Sequence, residues 1–282
     1  MEERKMSGSF SHLINRIAEE PPFRILSQKF VKYFIGSLRQ KARWEAVERP
    51  NYLSGLLKAA DQAMSQNIKE IVAIEFGVAA GGGLVSLDKY AGQIEQEVGI
   101  KVRLFGFDSG SGLPLLLPDF RDHPDQWRAC DYPMAEEKLR KRLSERTDLI
   151  LGNVKETVPK FLAKNTIPIG FVSFDLDLYS STVDAMKILS ENPHKNLNRV
   201  ILYFDDTDFF FNHKFAGELL AISEFNDANE NIKIDRWRGI HRDQVFKDRL
   251  WLNRMYIAHH LDAISNVQLQ RSPSLKASAS LN

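Results

Sequence analysis

A chain of 282 residues, 43% hydrophobic and 27% charged, has enough apolar material for one large globular domain with an appendage. Its 38 Lys and Arg nearly balance 37 Asp and Glu, so a formal charge of +1 gives no global field for nucleic acid, which is not expected as a partner. One cysteine, Cys130, rules out an internal disulfide; MEERKMSGSF lacks a secretory apolar region, and no run reaches the roughly 18 apolar residues of a membrane span. A reducing cytoplasm is therefore the expected compartment.

Residues 10–48 alternate apolar positions with Lys and Arg and break at Pro21-Pro22, which predicts two amphipathic helices forming an appendage over residues 1–50. Their basic character suits anionic lipid or a carrier protein, although a homo-oligomer contact or a helical cover over the active site is the simpler expectation. A third helix over Tyr52–Gln66 repeats Leu53, Leu56, Leu57, Ala60, Ala63 and Met64 at helical spacing and leads into the first strand of a domain spanning 51–264.

Short apolar runs then recur at 71–77, 102–108, 148–152, 169–175 and 200–206, separated by helical patterns. Runs that are apolar on both faces belong to a parallel sheet covered by helices on each side. NIKIDRWRGI and RLWLNRMYIAHHL follow as two strands without an intervening helix, which predicts an antiparallel hairpin at the sheet edge, its tip carrying Arg238, His241 and Arg242 in solvent. The Ser-rich residues 265–282 read as a disordered tail.

Ligands in such sheets collect beyond the carboxyl ends of the strands. Those ends carry Glu75, Asp108, Asn153, Asp175 with Asp177, and Asp205 with Asp206. One such residue would cap a helix or fill a turn, but acids or amides at five successive ends point to a single site. In IVAIEFGVAAGGG the glycines Gly77, Gly81, Gly82 and Gly83 permit positive φ and close approach of a ligand to backbone. Their spacing is neither the dinucleotide fingerprint nor a P-loop, and Glu75 suits a cationic ligand rather than a pyrophosphate. A tight turn for helix packing is the alternative reading of the loop taken alone.

EFGVAAGGG, GFDSGSGLP, DLDLYSST and YFDD, in that order over roughly residues 70–225, resemble the class I S-adenosylmethionine-dependent methyltransferases, most closely the macrocin-type sugar O-methyltransferases. The resemblance implies a Rossmann-like α/β fold: a mostly parallel seven-stranded sheet with an antiparallel last strand, helices on both faces and the N-terminal helical appendage. It implies that Gly77, Gly81 and Gly82 lie against the methionine part of S-adenosylmethionine and Glu75 near its ammonium. Asp108 would take the ribose hydroxyls, since a carboxylate accepts two hydrogen bonds from a diol, with Ser109 beside it and Asn153 bordering the adenine.

The resemblance also implies a magnesium ion held by Asp175, Asp205 and Asp206 and a sugar or glycoside hydroxyl as methyl acceptor. Hard oxygen ligands suit Mg²⁺ better than Zn²⁺. Methyl transfer is an in-line displacement that needs an aligned, deprotonated oxygen, and Asp175 and Asp177 are both candidates for the base. His213 is a further candidate, though a lone loop histidine is more often a bystander. The chain departs from the family in TDFFFNHKF after the acid pair, where three phenylalanines either line an acceptor pocket or, as expected, pack beneath the sheet. The long insert 115–139, with Trp127 and Tyr132, is expected either to act as a lid that sets acceptor specificity or to be a packed surface excursion. D-x-D at 175–177 also resembles the metal motif of nucleotide-sugar glycosyltransferases, and a non-catalytic binding module of the same fold is the other rival.

Overall fold

The computed structural model describes residues 23–34 and 36–266. The amphipathic segment expected at 10–20 and the tail beyond 266 lie outside the described residues. Seven strands form one sheet: β1 (Glu70–Phe76), β2 (Lys101–Asp108), β3 (Thr147–Leu151), β4 (Ile169–Phe174), β5 (Asn196–Phe204), β6 (Ile232–Arg236) and β7 (Met255–His260). Their spatial order is β3-β2-β1-β4-β5-β7-β6, with β7 antiparallel to both neighbours and the remaining strands running the same way. The α/β, Rossmann-like arrangement with an antiparallel last strand is the one expected. Chain order reverses between β1 and β4, so the crevice beyond their carboxyl ends is the natural place for a ligand.

Two expectations need correction. The second amphipathic segment is not one helix: α1 (Phe23–Tyr33) and α2 (Leu38–Arg43) are separated at Gly36, whose φ of +123° no helix accommodates, and Ser37 starts α2 in a reciprocal capping box with Gln40. The last two strands are not a tight hairpin. Residues 237–254 join them through the helical turn α9 (Ile240–Asp243) and a 3₁₀ turn at Leu250–Arg254. Burial explains the order: β6 buries only Ile232 and Ile234 while turning Lys233 and Asp235 away, an edge pattern, whereas β7 buries Met255, Tyr256 and Ala258 in succession with His260 and must lie inside the sheet. Arg238 accordingly sits on Asp235 (Nε to Oδ2, 2.8 Å) within that connection.

Helices cover both faces. α2, α3 (Pro50–Ser65) and α4 (Gly82–Val98) share one apolar layer with Ile71, Ala73, Phe171, Ile201 and Tyr203. The short α5 (Glu136–Arg140) ends the insert and buries Leu139 in a small cluster with Val78, Leu84 and Leu149. On the other face α6 (Val154–Lys164), α7 (Tyr179–Ser190) and α8 (Gly217–Ala228) pack on Val72, Ile74, Phe76, Phe174 and Phe204. α3 begins with Pro50 at its first turn and is buried nearly throughout; at Gly55 any Cβ would come 2.4 Å from the Phe171 ring, so helix and sheet meet there without side chain.

Candidate active site

Side chains alternate faces along a strand, and this alternation builds the site. In register across β1, β4 and β5, Phe76, Phe174 and Phe204 point to one face and stack, with centroids 5.5 and 4.7 Å apart. One residue earlier, Glu75, Ser173 and Tyr203 align on the opposite face, under α3. Asp175 and Asp205 continue that parity, so the acids at the ends of β4 and β5 and the acid inside β1 share one side of the sheet.

Tyr52 of α3 drops between them. Its hydroxyl donates to Glu75 Oε1 at 2.7 Å and accepts from Ser173 Oγ at 2.9 Å, and its ring meets Tyr203 edge-on at 5.8 Å. Glu75 is buried, and its second oxygen has no partner. Burial drives its pKa from 4.5 up to about 7 against the opposing pull of the Tyr52 hydrogen bond and of Arg49. Gly83 makes room for this carboxylate: a Cβ there would lie 1.8 Å from Oε1. Gly82 is open, since a Cβ there would meet only the Arg49 guanidinium, at 3.6 Å, whereas Gly81 packs on Leu139, which a Cβ would meet at 2.2 Å. Gly77, at φ +81°, is required because the Asp175 carbonyl would be 1.6 Å from its Cβ.

Asp108 organises the turn between β1 and α4. Its Oδ2 accepts from the amides of Val78 and Ala79 (2.9 Å each) and Oδ1 from Gly110 at 2.6 Å. The carboxylate is therefore spent largely on backbone, with capacity left on each oxygen for a ligand hydroxyl. Ser109 Oγ donates to the Gly112 carbonyl, and the Asn153 side chain caps α6 on the Lys155 amide. Substituting Asp108 by Ala leaves three amides without acceptors. Denaturant titration should show a loss of about 2–4 kcal/mol.

A cavity of about 540 Å³ opens here, within the size range of small-molecule sites. Gly77, Asp108, Ser109, Asn153, Asp175, Asp177, Asp205 and Asp206 line it, whereas Glu75, Gly81 and Gly82 are not part of its lining. Among the described residues of that wall there is no Lys, Arg or His.

The acids are crowded. Burial, followed by Asp205 and Asp206, pushes Asp175 well above the carboxylate range. Burial, Asp175 and Asp205 raise Asp177 to about 7, and burial, Asp177 and Asp205 raise Asp206 to about 8. Asp206 Oδ2 is buried without a partner, and the Asp206 amide donates to the equally buried Glu218 at 2.8 Å. Such a donor set suits a hard cation in charge and chemistry. Asp205, however, is held by Arg254 (Nη1 to Oδ1, 2.9 Å) and by the Tyr203 hydroxyl at 2.6 Å. Among the described residues no three acidic, histidine or cysteine side chains are gathered closely enough to hold a metal ion.

Sequence reading missed Tyr52, Arg49, Tyr203, Arg254 and Glu218. The phenylalanine run also differs from expectation, because alternate members serve different surfaces. Phe209 lines the cavity under Arg254, Phe210 is 96% exposed, and Phe211 packs on His123 and Trp127 of the insert. His213 faces His123 at 5.4 Å and is not in the cavity wall. The insert is anchored, since Asp122 accepts from both the amide and the hydroxyl of Ser180 at the start of α7, and it contributes Trp127, Asp131 and Tyr132 to the cavity.

The structure of CalS11, a calicheamicin methyltransferase, superposes with a TM-score of 0.55 at 20% identity, over 85% of this chain and 93% of that one. The fold is that of the class I methyltransferases. Apo CalS11, a TDP-rhamnose 3′-O-methyltransferase, gives 0.47 at 21% identity over 84% and 91%, and the O-methyltransferase NovP gives 0.43 at 18% over 63% and 72%. No protein-family model and no curated protein matches the sequence. Within the methyltransferase fold, the β1–β4 crevice and the acids beyond β4 and β5 open into the same cavity.

Proposed function

We propose that this protein is an S-adenosylmethionine-dependent O-methyltransferase that methylates a hydroxyl of a sugar or glycosylated small molecule, with Mg²⁺ assisting. The observation that carries the reading is the single cavity into which the glycine turn, Asp108 and the acids of β4 and β5 all open. Its acidic wall, without Lys, Arg or His among the described residues, complements a sulfonium, and the glycine turn beside Asp108 has no role in the glycosyltransferase alternative. A binding module alone gives no account of why so many carboxyls are kept buried against their mutual repulsion. CalS11, which shares the fold, acts on TDP-rhamnose, and a sugar hydroxyl is the acceptor class taken from that likeness.

In this reading Glu75, just behind the glycine turn, supplies the negative charge that draws the ammonium of the cofactor, Gly77 and the turn at 78–79 lie along it, and Asp108, Ser109 and Asn153 border the nucleoside. S-adenosylmethionine bound there would supply a methyl group to an in-line acceptor oxygen, its carbon–sulfur pair staying on sulfur as a neutral thioether, and Asp177 would take the hydroxyl proton. For Mg²⁺ the support is donor chemistry alone, since among the described residues the acids are not gathered as a metal site: Asp175, Asp205 and Asp206 are the carboxylates that would hold the ion, and it would supply charge that lowers the pKa of a hydroxyl. Trp127, Asp131 and Tyr132 place the insert where acceptor choice is made.

Calorimetric titration with S-adenosylhomocysteine, followed by turnover on a glycoside panel with Mg²⁺ and with chelator, tests this. Saturable one-to-one binding and chelator-sensitive methylation are expected. Absence of binding overturns the cofactor assignment, and turnover indifferent to chelator overturns the metal assignment alone.

A further inference from the structure

α1 is docked the wrong way round for a helix of a water-soluble domain. Its inward side is polar: Arg24 lies over the Phe246 ring at 4.9 Å, Gln28 donates to the Glu45 carbonyl at 2.9 Å, and Val31 is its only buried side chain. Its outward side carries Phe23, Leu26, Phe30 and Tyr33, spaced by three, four and three residues and so aligned in one stripe, with Phe34 just beyond the helix 74% exposed. Exposed Ile25 lies beside this stripe, together with the exposed Lys29 and Lys32. Residues 23–43 contain six Lys or Arg and no Asp or Glu, in a chain whose overall formal charge is +1.

The sheet fixes where this helix sits. β6 ends, and the antiparallel β7 begins, at the carboxyl-end side of the parallel strands, so the connection 237–254 lies at that end. α1 is tied to this connection directly through Phe246. A second tie runs through Glu45, whose carboxylate receives Arg249 at 2.8 Å and Trp251 at 3.0 Å. The cavity opens at the same end, and the loops around it expose Leu115, Leu117, Phe120, Phe210 and Phe215. A stripe of large exposed apolar side chains along one helix face marks an interaction site.

We propose that α1 lies in the interface of an anionic lipid bilayer, its aromatic stripe among the upper acyl chains and Lys29 and Lys32 at the headgroups. Charge selects this occupant. A two-fold contact with a second copy would set Lys29 and Lys32 of one α1 against those of the other with no acid on the helix to offset them, whereas an anionic surface complements them. No helix among the described residues is long and apolar enough to cross a membrane, so the contact is a surface one.

Cosedimentation of the full-length protein with vesicles of phosphatidylcholine alone, and of phosphatidylcholine with phosphatidylglycerol, tests it, with light scattering to count copies. The wild type should sediment with the anionic vesicles and be released by about 0.5 M salt. The double variant Leu26→Glu/Phe30→Glu, which leaves Arg24, Gln28 and Val31 in place, should bind at least about tenfold more weakly with an unchanged circular dichroism spectrum. Failure of the wild type to bind anionic vesicles overturns the proposal. So does undiminished binding by the variant, or a wild-type dimer that the variant dissociates without any vesicle binding, which would assign the stripe to a second copy.

Discussion

Replacing Asp177 by Asn should lower kcat for methyl transfer by about 10²- to 10⁴-fold and at the same time raise the melting temperature of the unliganded protein. The residue sits at φ +62°, a left-handed conformation that Asn accepts as readily as Asp, so the exchange removes charge without adding backbone strain. Burial, Asp175 and Asp205 lift its carboxyl from 3.8 to about 7. A carboxyl raised in the folded state keeps its proton where the unfolded chain has lost it. Its contribution to stability is therefore full below about pH 4 and falls as pH rises towards 7. A shift of this size corresponds to at most about 4 kcal/mol, or roughly 2–4 °C of melting temperature for each kcal/mol. The gap between variant and wild type should thus be smallest below about pH 4 and largest above pH 7. Retained turnover would remove Asp177 from the role of base, and a variant less stable than wild type at pH 8 would remove the repulsion argument. Together the two readouts describe a site that spends stability on reactivity.

Much of this arrangement is legible one strand at a time. An acid directly after an apolar run and a glycine turn after β1 are local signals, and they locate Gly77, Asp108, Asp175, Asp205 and Asp206 at the cavity without knowledge of the fold. What holds those groups is not local. Tyr52 reaches Glu75 across 23 positions and Ser173 across 121, and Arg254 reaches Asp205 across 49. No periodicity within a segment records such pairings. Tyr203 was within reach of sequence reasoning, because strand alternation puts it on the face of Asp205 and Glu75 once β1, β4 and β5 are aligned. The break at Gly36 was equally visible, since Gly-Ser followed by a Gln three residues beyond Ser37 is a helix-start signal; the Lys-rich amphipathic pattern on both sides masked it. The order β5-β7-β6 could be inferred from the contrast between two buried patterns and from the missing hairpin turn between them.

Replacing Glu75 by Gln should weaken S-adenosylhomocysteine binding by about 10²- to 10³-fold, because it leaves a buried ammonium without its counter-charge. The neighbourhood is otherwise preserved: the amide oxygen still accepts from Tyr52, and Gly83 still leaves the space. With burial holding the free carboxyl at about 7, a ligand that needs it ionised must expel a proton at lower pH. Affinity should therefore rise between pH 6 and 8 and then level off. Calorimetry in two buffers of different ionisation enthalpy should show close to one proton released at pH 6 and almost none at pH 8. The Gln variant should show neither trend. 5′-Methylthioadenosine, which keeps the nucleoside and the sulfur but lacks the amino-acid end, should bind wild type and variant alike at every pH. If it loses affinity in step with S-adenosylhomocysteine, Glu75 is acting on the shape of the glycine turn, and the charge-pair account of this residue fails.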